Sequence, residues 1–247
     1  MNSISDFDPQ KYAADFERDG YFICEAVLPF SQLNALAQAI ENVPSGEEVR
    51  KKQNVYGIRN LLEVCPEVCS LANQPAVRQF ATAVLGSNAF AVRAIFFDKV
   101  PGSNWSLFWH QDNVIAVQEK REVPGYIAWS HKAGIWQVQP PAEVLARMVA
   151  VRVHLDECGE ENGPLRVLPG SHRFGWLDEE LDAWKARVPE VVCAVGRGGI
   201  VSMCPLTLHA SARSVAAQHR RVIHIEYAAT DLPGGLEWKH RVRPELS

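Results

Sequence analysis

No apolar run in this chain of 247 residues reaches the roughly 20 positions that an α-helix needs to cross a bilayer. The opening stretch MNSISDFDPQ is acidic and polar, without the basic start and apolar middle of a signal peptide. Basic charge is not in surplus: 25 Lys and Arg stand against 29 Asp and Glu, for a net charge of -4 and a pI near 6.1. Proteins that neutralise phosphates need the opposite balance, so no nucleic acid is expected as a partner. Zinc-type spacing is missing too. The six cysteines (24, 65, 69, 158, 193 and 204) form no CxxC, and the CxxxC of Cys65 and Cys69 has no paired His beside it. They read as buried free thiols of a reducing compartment. Internal repeats, low-complexity tracts and the strand–helix–strand alternation of a dinucleotide-binding fold are absent. The expectation is a soluble, cytoplasmic protein, away from membranes, with its oligomeric state left open.

What is present changes texture near residue 90. DPQKYAADFERDG has an Asp-Pro entry and a Gly20 stop, which predicts a helix. YFICEAVL predicts a short strand. PFSQLNALAQAIENV places Leu33, Leu36, Ala37 and Ile40 on one helical stripe and closes at Pro44, and QPAVRQFATAVLG predicts a helix ending at Gly86. Beyond that point AFAVRAIFFDKV, MVAVRVHLDE, GPLRVLPGSH, GIVSMCPLTLHAS and RRVIHIEYAAT are β-rich runs between Gly and Pro turns, as in a sandwich or closed barrel. The chain reads as one domain over 1–247. A largely helical layer over about 1–90 packs outside a β core over about 90–230, with a long insert at 113–148.

Two HxD pairs carry metal-ligand potential: His110-Gln111-Asp112 and His154-Leu155-Asp156. With eight His and ten Asp, chance alone supplies roughly 0.3 such pairs, so either one is weak by itself. Context separates them. In MVAVRVHLDE, Val149, Val151, Val153 and Leu155 share one face, which leaves His154 and Asp156 in a polar interior or in solvent. His110 and Asp112 end an aromatic strand, WSLFWHQDN, and residues i and i+2 of a strand point the same way. His209 follows a short strand further on, and Arg220 comes eleven residues later. Two His and one carboxylate make the facial triad of non-haem Fe(II) oxygenases. An Arg fork suits a dicarboxylate co-substrate.

In order along the chain, WHQD, EENGPLRVLPGSHRFG and LHASARSVAAQHRR resemble the phytanoyl-CoA dioxygenase family, over roughly Tyr12 to Tyr227. The resemblance implies a mainly β fold with α. Its core would be a double-stranded β-helix of the jelly-roll or cupin-like kind, with the N-terminal helices outside. It also implies Fe(II), 2-oxoglutarate as co-substrate, and O2. His110, Asp112 and His209 match the family's iron triad. Arg220 matches the arginine that pairs with the far carboxylate of 2-oxoglutarate, and Ser211 a hydroxyl residue that helps hold it. ENGPL and PGSH match structural signatures, in which Gly163, Pro164 and Gly170 shape turns. Two positions depart. Many members place a Trp on the strand before the ENG turn, where Arg152 stands here, either lining the co-substrate pocket differently or contacting an anionic group. Arg213 lies where an Asn often follows the distal His. Related halogenases lack the carboxylate, and Asp112 fills that place. The implied reaction is therefore hydroxylation of an unactivated C–H bond of a small metabolite or natural-product intermediate.

Other residues have blander readings beside the functional ones. Gln111 points away from its two neighbours and reads as structural support. Arg93 and Arg152 face a barrel interior or solvent. Trp129 and Trp136 read as core or as pocket walls, with His131 and Lys132 as substrate contacts, if the insert is a lid. The alternative classes are a non-catalytic binding protein of this fold and a cupin-like metalloprotein that uses another metal and no 2-oxoglutarate.

Overall fold

The computed structural model describes residues 7–51, 55–100, 103–177, 181–215 and 219–244. Seven strands form the larger sheet. These are β1 (Tyr21–Cys24), β2 (Val49–Lys51), β3 (Val55–Ile58), β4 (Phe90–Asp98), β9 (Val149–His154), β12 (Ile200–Met203) and β14 (Arg221–Ala228). Their order is β1-β12-β9-β14-β4-β3-β2, with every pair antiparallel. A smaller antiparallel sheet holds β5 (Leu107–His110), β10 (Leu165–Val167), β11 (Val191–Cys193) and β13 (His209–Ser211), ordered β11-β10-β13-β5. Within the insert, β6 (Ile115–Val117), β7 (Ile127–Lys132) and β8 (Ile135–Gln139) make a third sheet, followed by the short helix α6 (Ala142–Leu145).

The helices α1 (Pro9–Asp19), α2 (Phe30–Glu41), α3 (Leu61–Val64), α4 (Pro66–Asn73) and α5 (Pro75–Leu85) precede β4, and α7 (Leu181–Arg187) follows β10. Local chemistry explains α1. Asp8 caps it, its Oδ1 accepting from the N–H of Gln10 and of Lys11, and Pro9 occupies the first turn. Gly20 ends it at φ +81°, where an added Cβ would fall 2.4 Å from His172 Nδ1. Only glycine fits both the backbone and the space. The expected stripe of α2 is the one it buries: Leu33, Leu36, Ala37 and Ile40. The first 90 residues hold five helices and the expected strand β1, and β2 and β3, which the sequence did not suggest, also join the large sheet. β2 is polar and lies at the sheet edge, and β3 is only four residues long, so neither carries much of the alternation that marks a half-buried strand.

Alternation in the central strands sorts side chains onto two faces. Val149, Val151 and Val153 of β9 and Ile223, Ile225 and Tyr227 of β14 pack in one core with Phe80, Leu71 and Tyr12 of the helices. Tyr227 also donates its hydroxyl to the Ala72 carbonyl at 2.8 Å. The opposite positions face inward. A second core of Ala150, Val201, Met203, Leu165, Val167 and Cys193 joins the two sheets. Beside this core the inward positions turn polar: Arg152 and His154 on β9, and His224 and Glu226 on β14. Apolar surface is thus spent on the helix layer and on one part of the interior. The remainder of the space between the sheets is a cavity of about 680 Å³.

Candidate metal centre

β5 and β13 run antiparallel at one side of the small sheet, and their register sets His110 opposite His209. The ring centroids are 4.2 Å apart. Asp112 lies just past the strand, where its N–H donates to the Pro205 carbonyl at 2.9 Å. One ligand-type atom from each of the three lies within 4.8 Å of the others. Asp112 Oδ1 stands 3.8 Å from His209 Nε2.

The backbone selects the imidazole tautomers. His110 Nδ1 meets the Phe108 carbonyl at 2.7 Å and His209 Nδ1 meets that of Thr207 at 2.8 Å. A carbonyl oxygen only accepts, so each Nδ1 carries the hydrogen and each Nε2 keeps a free lone pair. Burial pushes the His209 imidazole down to about 4, more than the neighbouring Asp112 charge raises it, so it is neutral near pH 7. Burial raises the Asp112 carboxyl, but the nearby His209, His224, His110 and Arg152 outweigh it and hold the group below its ordinary value. The donor set is therefore two neutral nitrogens and one carboxylate. Asp112 Oδ2 is buried without a protein partner, as a carboxylate oxygen facing a cation would be. The residues fit a divalent transition metal, and their type matches non-haem iron.

Gln111 explains how the loop holds this shape. Its Nε2 donates to the Gly175 and Leu206 carbonyls, both at 2.7 Å, and its Oε1 accepts from the Leu177 N–H at 2.9 Å. One buried side chain thereby ties the loop bearing Asp112 to the chain leading into His209. Its expected role as structural support fits. The second HxD pair does not form a cluster. His154 is fully buried between the sheets, whereas Asp156 takes Arg221 in a bidentate pair at 2.8 and 2.9 Å. Among the described residues, the only group of three or more potential ligands is His110, Asp112 and His209.

Beside this cluster the cavity is lined by Ser211, Arg152 and Arg220. Arg220 is buried, and its position is set through its backbone: its N–H donates to Asp98 Oδ1 at 3.0 Å, while Asp98 Oδ2 accepts from His219 Nδ1 at 2.6 Å. The ENG turn supports the same loop. Asn162 donates to the Glu157 and His219 carbonyls and accepts from the Ser214 hydroxyl at 2.7 Å. Arg152 is buried rather than solvated, and its Nη1 donates to His224 Nδ1 at 2.9 Å. His224 Nε2 in turn lies 3.4 Å from Glu226 Oε1, which also takes Arg93 at 3.0 Å. The Nε atoms of Arg152 and Arg220 and both ring nitrogens of His154 are buried with no protein partner. Of these, Arg152 and Arg220 line the cavity and His154 does not, and guanidinium N–H groups without a protein partner there suit an anion.

Sequence reading missed three members of this interior. Lys99 is fully buried, and its Nζ donates to Ser211 Oγ at 3.0 Å and to the Ala212 carbonyl at 2.5 Å. Burial, with the Arg220 charge, pushes its ammonium down to about 7. His224 and Glu226 are the other two. The signal was there: counting by twos from Arg220 reaches 222, 224 and 226 on one face. The sequence leaves open whether the insert is a lid. No residue of 113–148 lines the cavity. Trp129 and Trp136 meet edge to face at 6.4 Å between centroids, and His131 lies tilted against Trp136 at 4.6 Å, within the third sheet.

The comparisons with known proteins agree with this geometry. The family model for phytanoyl-CoA dioxygenase (PhyH) matches residues 16–222. L-proline trans-4-hydroxylase of Streptomyces griseoviridis is 25% identical, over 93% of this chain and 88% of that protein. Peroxisomal phytanoyl-CoA dioxygenase of Rattus norvegicus is 24% identical, over 93% of this chain and 64% of that protein. Among solved structures, EctD from S. alaskensis with 2-oxoglutarate and 5-hydroxyectoine superposes with a TM-score of 0.69 at 21% identity. It covers 89% of this chain and 75% of that one. With the motifs, the cupin-like fold and the three-residue cluster in one place, the chain belongs to the phytanoyl-CoA dioxygenase family.

Proposed function

We propose that the protein is a non-haem Fe(II)- and 2-oxoglutarate-dependent dioxygenase that hydroxylates an unactivated C–H bond of a small molecule. One observation carries the reading: the His110, Asp112 and His209 cluster and the buried guanidinium of Arg220 line a single cavity. Fe(II), with 2-oxoglutarate and O2, supplies the oxidising chemistry. The residues supply everything else. His110 and His209 offer Nε2, and Asp112 a carboxylate oxygen, so half of an octahedron is left for co-substrate and oxygen. Arg220 pairs with the far carboxylate of 2-oxoglutarate. Ser211 Oγ already accepts from Lys99, so its own hydrogen is the one left to donate to that carboxylate. Arg152, in the place of the family's Trp, adds a further positive charge to the dianion's pocket.

A small-molecule substrate accords with the relative named for L-proline. No helix among the described residues is long and apolar enough to cross a membrane. A cytoplasmic location accords with six free cysteines. The test is Arg220→Ala, with iron content and succinate release measured together. Iron binding is expected to stay, and the 2-oxoglutarate concentration for half-maximal turnover to rise at least about tenfold. An unchanged requirement would favour the cupin-like alternative without this co-substrate.

A further inference from the structure

The cavity extends past the metal cluster to the open edges of both sheets. The β2–β3 hairpin stands on one side, at the edge of the large sheet, and the segment before β5 on the other, at the edge of the small one. Tyr56 and Trp105 meet across this seam, with ring centroids 6.1 Å apart and planes at 62°. Arg50 and Arg59 line the cavity on the hairpin side. Arg50 is the register partner of Gly57, and a Cβ built on Gly57 would lie 3.7 Å from Arg50 Cδ. The Arg50 stem therefore lies over Gly57 of the neighbouring strand.

Charge in the cavity does not balance. Its lining holds five arginines (50, 59, 93, 152 and 220) and a single carboxylate, Asp112. Arg93 is paired with Glu226 at 3.0 Å. In the proposed function Asp112 faces iron, and Arg220 and Arg152 face 2-oxoglutarate. Arg50 and Arg59 are left over, and among the described residues neither guanidinium has a hydrogen-bond or carboxylate partner. Around Arg59 the influences all run one way: burial, then Arg50, then Arg93, each disfavouring its charge. Arg59 is half-buried and Arg50 exposed, and two guanidinia on one cavity wall without a protein counter-ion mark a place where an anion is stabilising.

We infer that Arg50 and Arg59 bind the carboxylate of the substrate, with Tyr56 and Trp105 flanking its carbon frame, so that the enzyme acts on a small organic acid. The oxidation, and the assignment of Arg220 and Arg152 to the co-substrate, rest on the Fe(II) and 2-oxoglutarate reading; the lack of protein partners at Arg50 and Arg59 does not. In the reaction R–H, 2-oxoglutarate and O2 become R–OH, succinate and carbon dioxide. A cavity of about 680 Å³ lies within the roughly 300–1,000 Å³ usual for small-molecule sites, and holds a small acid beside the co-substrate.

The experiment uses ligand-observed NMR on the full chain with Zn(II) in place of iron and saturating 2-oxoglutarate. The probes are matched fragments: aryl carboxylic acids, their primary amides and the corresponding aryl phosphates. The acids are expected to bind, the amides at least about tenfold more weakly, with the preference lost in Arg50→Gln/Arg59→Gln. The single variants guard against misfolding, and each is expected to lose part of the preference. Amides that bind as well as acids, or a double variant that keeps the preference, would overturn the inference. Aryl phosphates that bind in place of the acids would overturn the carboxylate assignment. Anaerobic Fe(II) and 2-oxoglutarate binding is read separately on the same variants. If that binding is absent while the acid preference holds, the dioxygenase reading alone fails. If it is present without the preference, this inference alone fails.

Discussion

At His110 and His209 a backbone carbonyl two residues back fixes which nitrogen is free, so the ligands are oriented before any metal arrives. Replacing His110, Asp112 or His209 with Ala is expected to remove stoichiometric iron binding and leave the melting temperature of the metal-free protein within a few degrees, by metal analysis and calorimetry. His154→Ala is expected to keep the iron. Asp156→Ala should keep it too but destabilise the fold by about 1–3 kcal/mol, because Arg221 then loses a half-buried bidentate partner. Iron loss in His154→Ala with none in His110→Ala would reverse the assignment. Lys99 gives a pH-dependent test. Its folded pKa, about 7, lies below its ordinary 10.5, so between those values the unfolded chain binds the extra proton. Stability from this group therefore rises as pH increases from about 7 towards 10.5. Lys99→Met is expected to flatten that slope in denaturant unfolding, and parallel slopes for variant and parent would contradict it. At this scale the triad was legible, because its residue types are rare and its spacing fits a strand. Lys99 was not, because a lysine beside a Pro-Gly turn reads as surface until the fold buries it.

Elements were legible where one face alone meets the core. The stripe of α2 and the alternation of β9 both encode burial on a single side. The same alternation concealed the site. Valines on β9 face the helices, and the polar partners Arg152 and His154 face inward instead of into solvent. Strand 49–51 escaped because a polar edge strand carries no such contrast, and strand 55–58 because it is too short to show alternation, yet they bring Arg50 and Arg59 to the cavity. The ENG turn shows how an element fixes the site from outside it. Gly163 has φ +59°, and an added Cβ would sit 2.5 Å from the Ala212 carbonyl, the one that accepts from Lys99. Gly163→Ala is expected to cost about 1–3 kcal/mol and to weaken 2-oxoglutarate binding together with stability, as read by thermal shift with and without the co-substrate. Unchanged stability would mean that the turn does not brace β13.

For the molecule as a whole, two sheets and a helical layer divide the work. The helices bury the outer face of the large sheet, which frees part of its inner face to be charged. The fold class was legible from the three motifs in order, since composition and periodicity alone stop at a sandwich or barrel. The position of the insert was not, because nothing local tells a strand that walls a cavity from one that packs on the outside. The dioxygenase account depends on iron and 2-oxoglutarate binding together at one site. Its most direct test is anaerobic titration of metal-free protein with Fe(II) and then 2-oxoglutarate, followed by visible absorption. The account predicts a weak charge-transfer band that appears only when both are present and is lost in His209→Ala. Iron binding without that band would contradict it.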